Sequence, residues 1–186
     1  MTTDVNMRPL GPADSACVLT WRNSPEIRRW MYTDHVISQE EHDRWFSAAL
    51  TDPARRYWII ELDGVPVGLA NLADRSPAHR RTAWAYYLAD PSVRGKGLGA
   101  YVEYFVIEHA FRELSLNKLY CEVLIDNEAV WKMHEAFGFK REALFRQHVW
   151  KDGEPTDVVG LGLLASEWSA IRESSRERLA SRGFPV

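Results

Sequence analysis

Trp84-Ala-Tyr-Tyr-Leu-Ala-Asp-Pro-Ser-Val-Arg-Gly-Lys-Gly-Leu-Gly-Ala-Tyr-Val-Glu-Tyr-Phe105 decides how the rest of the chain is read. Trp84 to Leu88 is aromatic and apolar, as a buried strand is. Asp90-Pro91 stops it. A helix is expected from about Leu98 to Leu114, with Leu98, Val102, Phe105, Val106, Ala110 and Leu114 on one side. Between strand and helix lies Arg94-Gly95-Lys96-Gly97-Leu98-Gly99. Glycines let a backbone bend tightly and approach a ligand. The first N–H groups of a helix lack intrahelical partners, and the helix dipole adds positive charge there. With Arg94 and Lys96, the stretch reads as a pyrophosphate cradle. Its spacing is neither the G-x-G-x-x-G of dinucleotide folds nor a Walker loop.

Elements on either side extend the reading. Asn6–Leu10 is a candidate first strand. Gly11-Pro12-Ala13-Asp14 opens a helix that Asn23-Ser24-Pro25 breaks, and Glu26 to Tyr32 is expected as a second short helix. Ser38 with Glu41 forms a capping box that starts a third, bearing His42, Trp45, Phe46 and Ala49 at helical spacing. Tyr57–Leu62 and Val65–Leu72 are strands joined by Asp63-Gly64, a strong hairpin signal. Thr82–Leu88 completes a meander. Leu119–Ile125 is a strand, Asn127 caps a helix over Glu128–Phe137, and Phe145–Lys151 pairs with Thr156–Leu164 around Asp152-Gly153. A charged helix from Ser166 to near Gly183, carrying Trp168, Ile171 and Leu179, is expected as a solvated helix packed on the sheet. The order predicts an α/β fold with a mixed, mostly antiparallel sheet and a single domain spanning 1–186.

Bulk properties exclude several classes. Net charge is −3 with no basic block, so nucleic acid is not an expected partner. No apolar run reaches a membrane span, and the first residues lack the apolar core of a signal peptide. The two cysteines, Cys17 and Cys121, have no metal or redox spacing and read as buried free thiols of a cytoplasmic protein. No metal site is expected, since no cluster has ligand spacing.

Arg94-x-x-Gly97-x-Gly99 resembles the coenzyme A loop of the GNAT acyltransferases. Asn127-Glu-Ala-Val130-Trp-Lys-Met133-His134-Glu-Ala-Phe-Gly138-Phe139 resembles their second motif, N-x-x-A-x-x-L-Y-x-x-x-G-F, with His134 in place of the tyrosine. The resemblance implies the GNAT fold, with a sheet that splays between Trp84–Leu88 and Leu119–Leu124, and acetyl-CoA as donor. It implies coenzyme contacts from Tyr87, Leu88, Arg94, Gly95, Lys96, Gly97, Leu98, Gly99, Asn127 and Val130. A finer likeness, in Trp21-Arg22-Asn23-x-Pro25-Glu26-Ile27-Arg28-x-Trp30-Met31, Asn117–Leu124 and Gly138–Glu142, is to the nucleotide-sugar N-acetyltransferases of pseudaminic acid synthesis. That branch implies the 4-amino group of a UDP-linked 4-amino-4,6-dideoxy sugar as acceptor.

Acyl transfer to an amine needs a neutral nucleophile, donors for the developing oxyanion and a proton for the departing thiolate. His134, at the position of the family's tyrosine, is the expected acid. Glu122, a carboxylate in an apolar strand, is the expected base, acting through a water; a solvent-facing residue of alternating period is the competing reading. His148 is a weaker alternative base. Arg22, Asn23, Met31, Tyr32, His35 and His42 form the expected acceptor group: arginine for phosphate, rings and methionine for a base. Two rivals stand: a polyamine or protein N-terminus as acceptor, and a catalytically silent acyl-CoA-binding module. The expected assembly is a monomer or homodimer.

Overall fold

The computed structural model describes residues 3–186. The chain runs β1 (Val5–Pro9), a 3-10 turn, α1 (Ser15–Asn23), α2 (Pro25–Arg28), α3 (Gln39–Thr51), β2 (Arg56–Leu62), β3 (Val65–Ser76), β4 (Arg81–Leu88), α4 (Leu98–Glu108), β5 (Lys118–Leu124), α5 (Glu128–Ala136), β6 (Lys140–Lys151), β7 (Glu154–Leu164) and α6 (Ala165–Ala180). The 7 strands form one mixed sheet in the order β1-β2-β3-β4-β5-β7-β6. Asp63-Gly64 and Asp152-Gly153 turn the two hairpins expected of them, Leu62 facing Val65 and Lys151 facing Glu154.

β1 to β4 are antiparallel. α4 then carries the chain over the sheet, and β5 returns parallel to β4. The two pair only at Arg81↔Lys118, Thr82↔Leu119 and Ala83↔Tyr120. From Trp84 and Cys121 onward they diverge, while β5 stays paired with β7 along its whole length. The sheet is thus forked, and the fork opens toward the glycine loop.

Strand alternation sends side chains to two separate cores. Trp58, Ile60 and Trp84 pack with Val102 and Val106 of α4, Trp131 of α5 and Trp168 of α6. Tyr57, Ile59 and Tyr87 pack on the other face with Val18 of α1, Ile27 of α2 and Ala49 of α3. Helices therefore cover both faces, as an α/β fold requires.

Two of these elements, α2 and β6, have bounds that differ from the sequence reading. α2 stops at Arg28 instead of reaching Tyr32, because Lys151 Nζ takes the Arg28 carbonyl at 3.0 Å and draws the following loop toward the end of β6. β6 begins at Lys140, not Phe145: its polar first residues pair with β7 across register shifts near Arg141 and Phe145. α6 packs as expected, and its anchors reach beyond the sheet to α4. Trp168 and Leu179 are buried, the Trp168 indole donates to Glu108 at 2.7 Å, and Arg172 pairs with the same carboxylate. Burying a large apolar side chain is worth about 1.5–3 kcal/mol. Two such anchors and a shared carboxylate hold an otherwise polar helix on α4. Beyond it, Phe184 stacks on Tyr101 with ring centroids 5.5 Å apart.

Candidate active site

The glycine loop is built by its neighbours. Asp90 accepts the Ser92 N–H at 2.8 Å and closes a 3-10 turn over Pro91–Val93. Arg94 folds back, its Nη2 donating to the Leu88 carbonyl at 3.0 Å. Gly95 and Gly97 take φ of +74° and +93°, where a side chain is strained. Around Gly95 no atom stands within 4 Å of a would-be Cβ, so space is left on that side. Gly97 is the N-cap of α4 and no side chain caps it, which leaves the first amides of the helix free. A Cβ on Gly99 would fall 2.8 Å from the Tyr86 hydroxyl, so Tyr86 closes the cradle from β4.

His134 sits at the root of the fork. Its ring lies 5.0 Å from the Trp84 ring and 5.5 Å from Phe139. Trp84 and Cys121 are the first residues past the last β4–β5 pair, and the Cys121 thiol also faces the imidazole. Nδ1 of His134 is 2.8 Å from Oε1 of Glu103, which α4 sends inward and which is fully buried. Burial opposes charge on His134, but the Glu103 charge and the hydrogen bonds to Cys121 and Glu103 outweigh it, and its pKa is pushed up to about 10. Glu103 was not singled out from sequence. Its signal was a carboxylate adjoining Val102 on the buried side of an apolar helix.

On the opposite face the strand places Glu122 in solvent between buried Cys121 and Val123. Its carboxylate accepts the Tyr32 hydroxyl at 2.8 Å. Burial, then the Glu122 hydrogen bond, raises the Tyr32 pKa and keeps that hydroxyl protonated. His148 meets Tyr32 edge-on at 6.5 Å. Arg22 reaches only Met31 Sδ and Thr33 Oγ1, both at 3.4 Å. No carboxylate holds it among the described residues.

The remaining expected site residues divide. Tyr87 sends its ring away from the fork, into the core with Trp21, so only its backbone and that of Leu88 line the divergent arm. Asn127 is the N-cap of α5 as expected, yet its side chain makes no capping bond. Val130 packs half-buried on the larger core. Three acceptor candidates are engaged elsewhere. Asn23 spends both ends of its amide on the backbone of Ile37, at 2.8 and 2.9 Å. His35 stands on the surface, 2.8 Å from Glu41. His42 is 2% exposed, bonded to Ser15 and packed on Trp45 and Phe46, because its helix turns that side inward.

Buried polar atoms are nearly always paired in folded proteins. Among the described residues, those without a partner are Arg22 Nε, Trp84 Nε1, the Tyr87 hydroxyl and Glu103 Oε2. They lie on both sides of β4: Trp84 and Glu103 on the side of the larger core, Tyr87 and Arg22 on the side of the smaller one. The uncapped helix start, the open side of Gly95 and the gap between β4 and β5 fit a coenzyme whose pyrophosphate sits on the loop and whose arm enters the fork.

Comparison with known proteins accords with this geometry. The family model described as an acetyltransferase (GNAT) domain matches residues 4–140. The chain belongs to the GNAT acetyltransferase family. Among curated relatives of this GNAT enzyme is the spermidine N(1)-acetyltransferase of Escherichia coli (strain K12), 23% identical over 94% of each chain. The acetyltransferase PseH of Campylobacter jejuni is 26% identical over 70% of this chain and 79% of its own length. Among solved structures, spermidine N-acetyltransferase from Vibrio cholerae in complex with CoA and spermine superposes with a TM-score of 0.83 at 22% identity, over 89% of this chain and 98% of that one. The last comparison shows the shared GNAT fold.

Proposed function

We propose that this acetyltransferase moves the acetyl group of acetyl-CoA onto a primary amine of a polyamine, by direct attack with both substrates bound. The observation that carries the reading is Glu122. It is a solvent-facing carboxylate beside the fork, held by the neutral Tyr32 hydroxyl and by no cation among the described residues. An ammonium group fits that vacancy electrostatically, and the same carboxylate can take the proton the amine must lose. The spermidine acetyltransferases that align over 94% of the chain support the choice of acceptor class.

Acetyl-CoA supplies the activated thioester. The residues do the rest. The loop amides, Arg94 and Lys96 hold the phosphates. The backbone N–H of Leu88 stands on the unpaired edge of β4 as a donor for the acetyl oxygen while it gains charge, the Tyr87 N–H being turned to β3. Glu122, directly or through a water, receives the amine proton. His134 is the donor to the thiolate.

A second reading keeps the chemistry and changes the acceptor to the 4-amino group of a UDP-linked dideoxy sugar. One observation favours it: Arg22 is a half-buried guanidinium with no carboxylate and an unpartnered Nε, suited to a diphosphate. Free-thiol release from acetyl-CoA, measured with spermidine, a UDP-linked 4-amino sugar and a short peptide, tests both. Release with spermidine is expected. Release only with the sugar would transfer the assignment to the second reading. Tight CoA binding with no release from any of them would refute turnover on these amines and favour a silent coenzyme-binding module.

A further inference from the structure

We propose that Glu103 is a positioning residue of the transfer reaction: its carboxylate, bonded to Nδ1 of His134, orients that imidazole at the root of the fork and keeps it a charged proton donor. The proposal rests on the acetyl-transfer reading above and adds a residue to it.

Stability does not explain the pair. Glu103 is fully buried and His134 is 3% exposed, its ring beside Trp84 and Phe139. A buried ion pair is often no better than an apolar pair of the same volume, because both charges lose their water. Here the compensation is also incomplete, since Glu103 Oε2 has no partner. Every other buried residue of α4 except Glu103 is apolar or aromatic. A carboxylate there destabilises the core unless it is needed where it stands.

Its position supplies the need. Trp84 and Cys121, which flank the imidazole, begin the two diverging arms. With Nδ1 occupied by Glu103, Nε2 is the nitrogen turned toward the Cys121 thiol at the start of the gap, and it is the one able to give a proton away. The polar groups that face the ring come from three elements: Glu103 from α4, Cys121 from β5, and the Trp84 indole from β4, with the Tyr86 hydroxyl turned to Met133 Sδ at 3.6 Å. On α5 itself, Glu135 points outward to Arg141. Glu103 is therefore the one carboxylate facing the imidazole among the described residues.

The step balances without another reactant. The amine nitrogen forms the C–N bond as the C–S bond breaks, and the electron pair stays on sulfur. That sulfur takes the Nε2 proton of His134. The surplus amine proton leaves through Glu122 to solvent, and His134 regains one from solvent. The products are the amide and free coenzyme thiol.

The first test follows the His134 ring by imidazole NMR in the free protein, titrated with pH. The wild-type ring is expected to remain a cation through about pH 8, above the ordinary histidine value of about 6.5. A ring already neutral at that pH overturns the proposal, whatever the variants do. In Glu103→Gln, burial acts without a countercharge, so the ring should become neutral below about pH 6.5. The kcat at pH 7.5 should fall about 10²-fold, as for loss of a general acid, and the alkaline limb of its pH profile should move down. Glu103→Asp should recover part of both effects. A Glu103→Gln profile superimposable on wild type overturns the proposal. The acceptor assignment is kept separate by a measurement needing no amine, the ionisation of the thiol of bound CoA. Wild type should bind it with a pKa about one unit or more below the free thiol, and Glu103→Gln should abolish the difference. Equal values in the two proteins would remove Glu103 from the reaction even if every acceptor assignment held.

Discussion

Gly95 and Gly97 offer a matched pair of perturbations. Both have positive φ, but a Cβ on Gly95 meets nothing within 4 Å, whereas one on Gly97 falls 3.0 Å from Phe184 Cε2 and 3.7 Å from Arg182 Nη1. An L-residue in the left-handed region costs about 1–2 kcal/mol. Gly95→Ala should show that cost alone. Gly97→Ala must also push the Phe184 ring off Tyr101, and an off-rotamer ring adds about 0.5–1.5 kcal/mol. Each kcal/mol moves the melting temperature of a chain this long by about 2–4 °C. Gly97→Ala should therefore melt lower than Gly95→Ala, both below wild type. Each shift also misaligns the free amides of α4. Hydrogen bonds to charged groups contribute about 1.5–3 kcal/mol, so losing one raises the acetyl-CoA Kd about tenfold or more. Differential scanning calorimetry and titration calorimetry with CoA check both parts. Equal melting temperatures for the two variants would refute the Phe184 contact. Unchanged CoA affinity in both would refute the loop as the phosphate cradle.

Glu122→Gln should lower kcat about 10²-fold with little change in acetyl-CoA KM, since only the route for the amine proton is lost; steady-state kinetics on the active acceptor decide it, and an unaltered kcat would show that the amine binds already neutral. Arg22→Ala should raise the KM of an anionic acceptor about tenfold or more and leave that of spermidine unchanged, whereas a parallel rise in acetyl-CoA KM would tie Arg22 to the donor. Asp14 is held by Arg8 through two bonds of 2.7 Å and by the Gly11 amide, and Arg8 chiefly lowers its pKa against the effect of burial. Its contribution is present above the ordinary carboxylate pKa and disappears as pH falls through the depressed folded value. Asp14→Asn should thus melt lower than wild type at neutral pH, and the gap should close in acid.

The strand, loop and helix around the fork were legible because their signals are local, whereas the splay itself came only with the family resemblance. Asp90-Pro91, the glycines and the apolar side of α4 sit within one short stretch, and Asp-Gly marks each hairpin. The pair at its root was half legible. His134 could be placed by its position in a motif, but Glu103 is 31 residues away and meets it only because α4 and α5 pack on the same face. The end of α2 depends on Lys151, 123 residues distant, which no periodicity reports. His42 was misplaced by residue type: a histidine among aromatics suits a ligand face and a core equally, and only the packing of α3 against α1 chooses the core.

Three residue pairs join the two halves of the sheet across β4 and β5. Mechanically it is two half-sheets sewn at one corner, with a wedge-shaped gap where further rungs would be. A ligand lodged in the gap supplies what strand pairing withholds, so occupancy and rigidity become one equilibrium. Binding at a hundredfold excess over Kd adds about 2.7 kcal/mol to the folded state. That gain should fall unevenly. The amides of Tyr86 and Leu88, which face the gap, should be slowed most in hydrogen exchange when coenzyme is present, and those of β1 and β2 least. The substrate, in that sense, is the sheet's missing stitch.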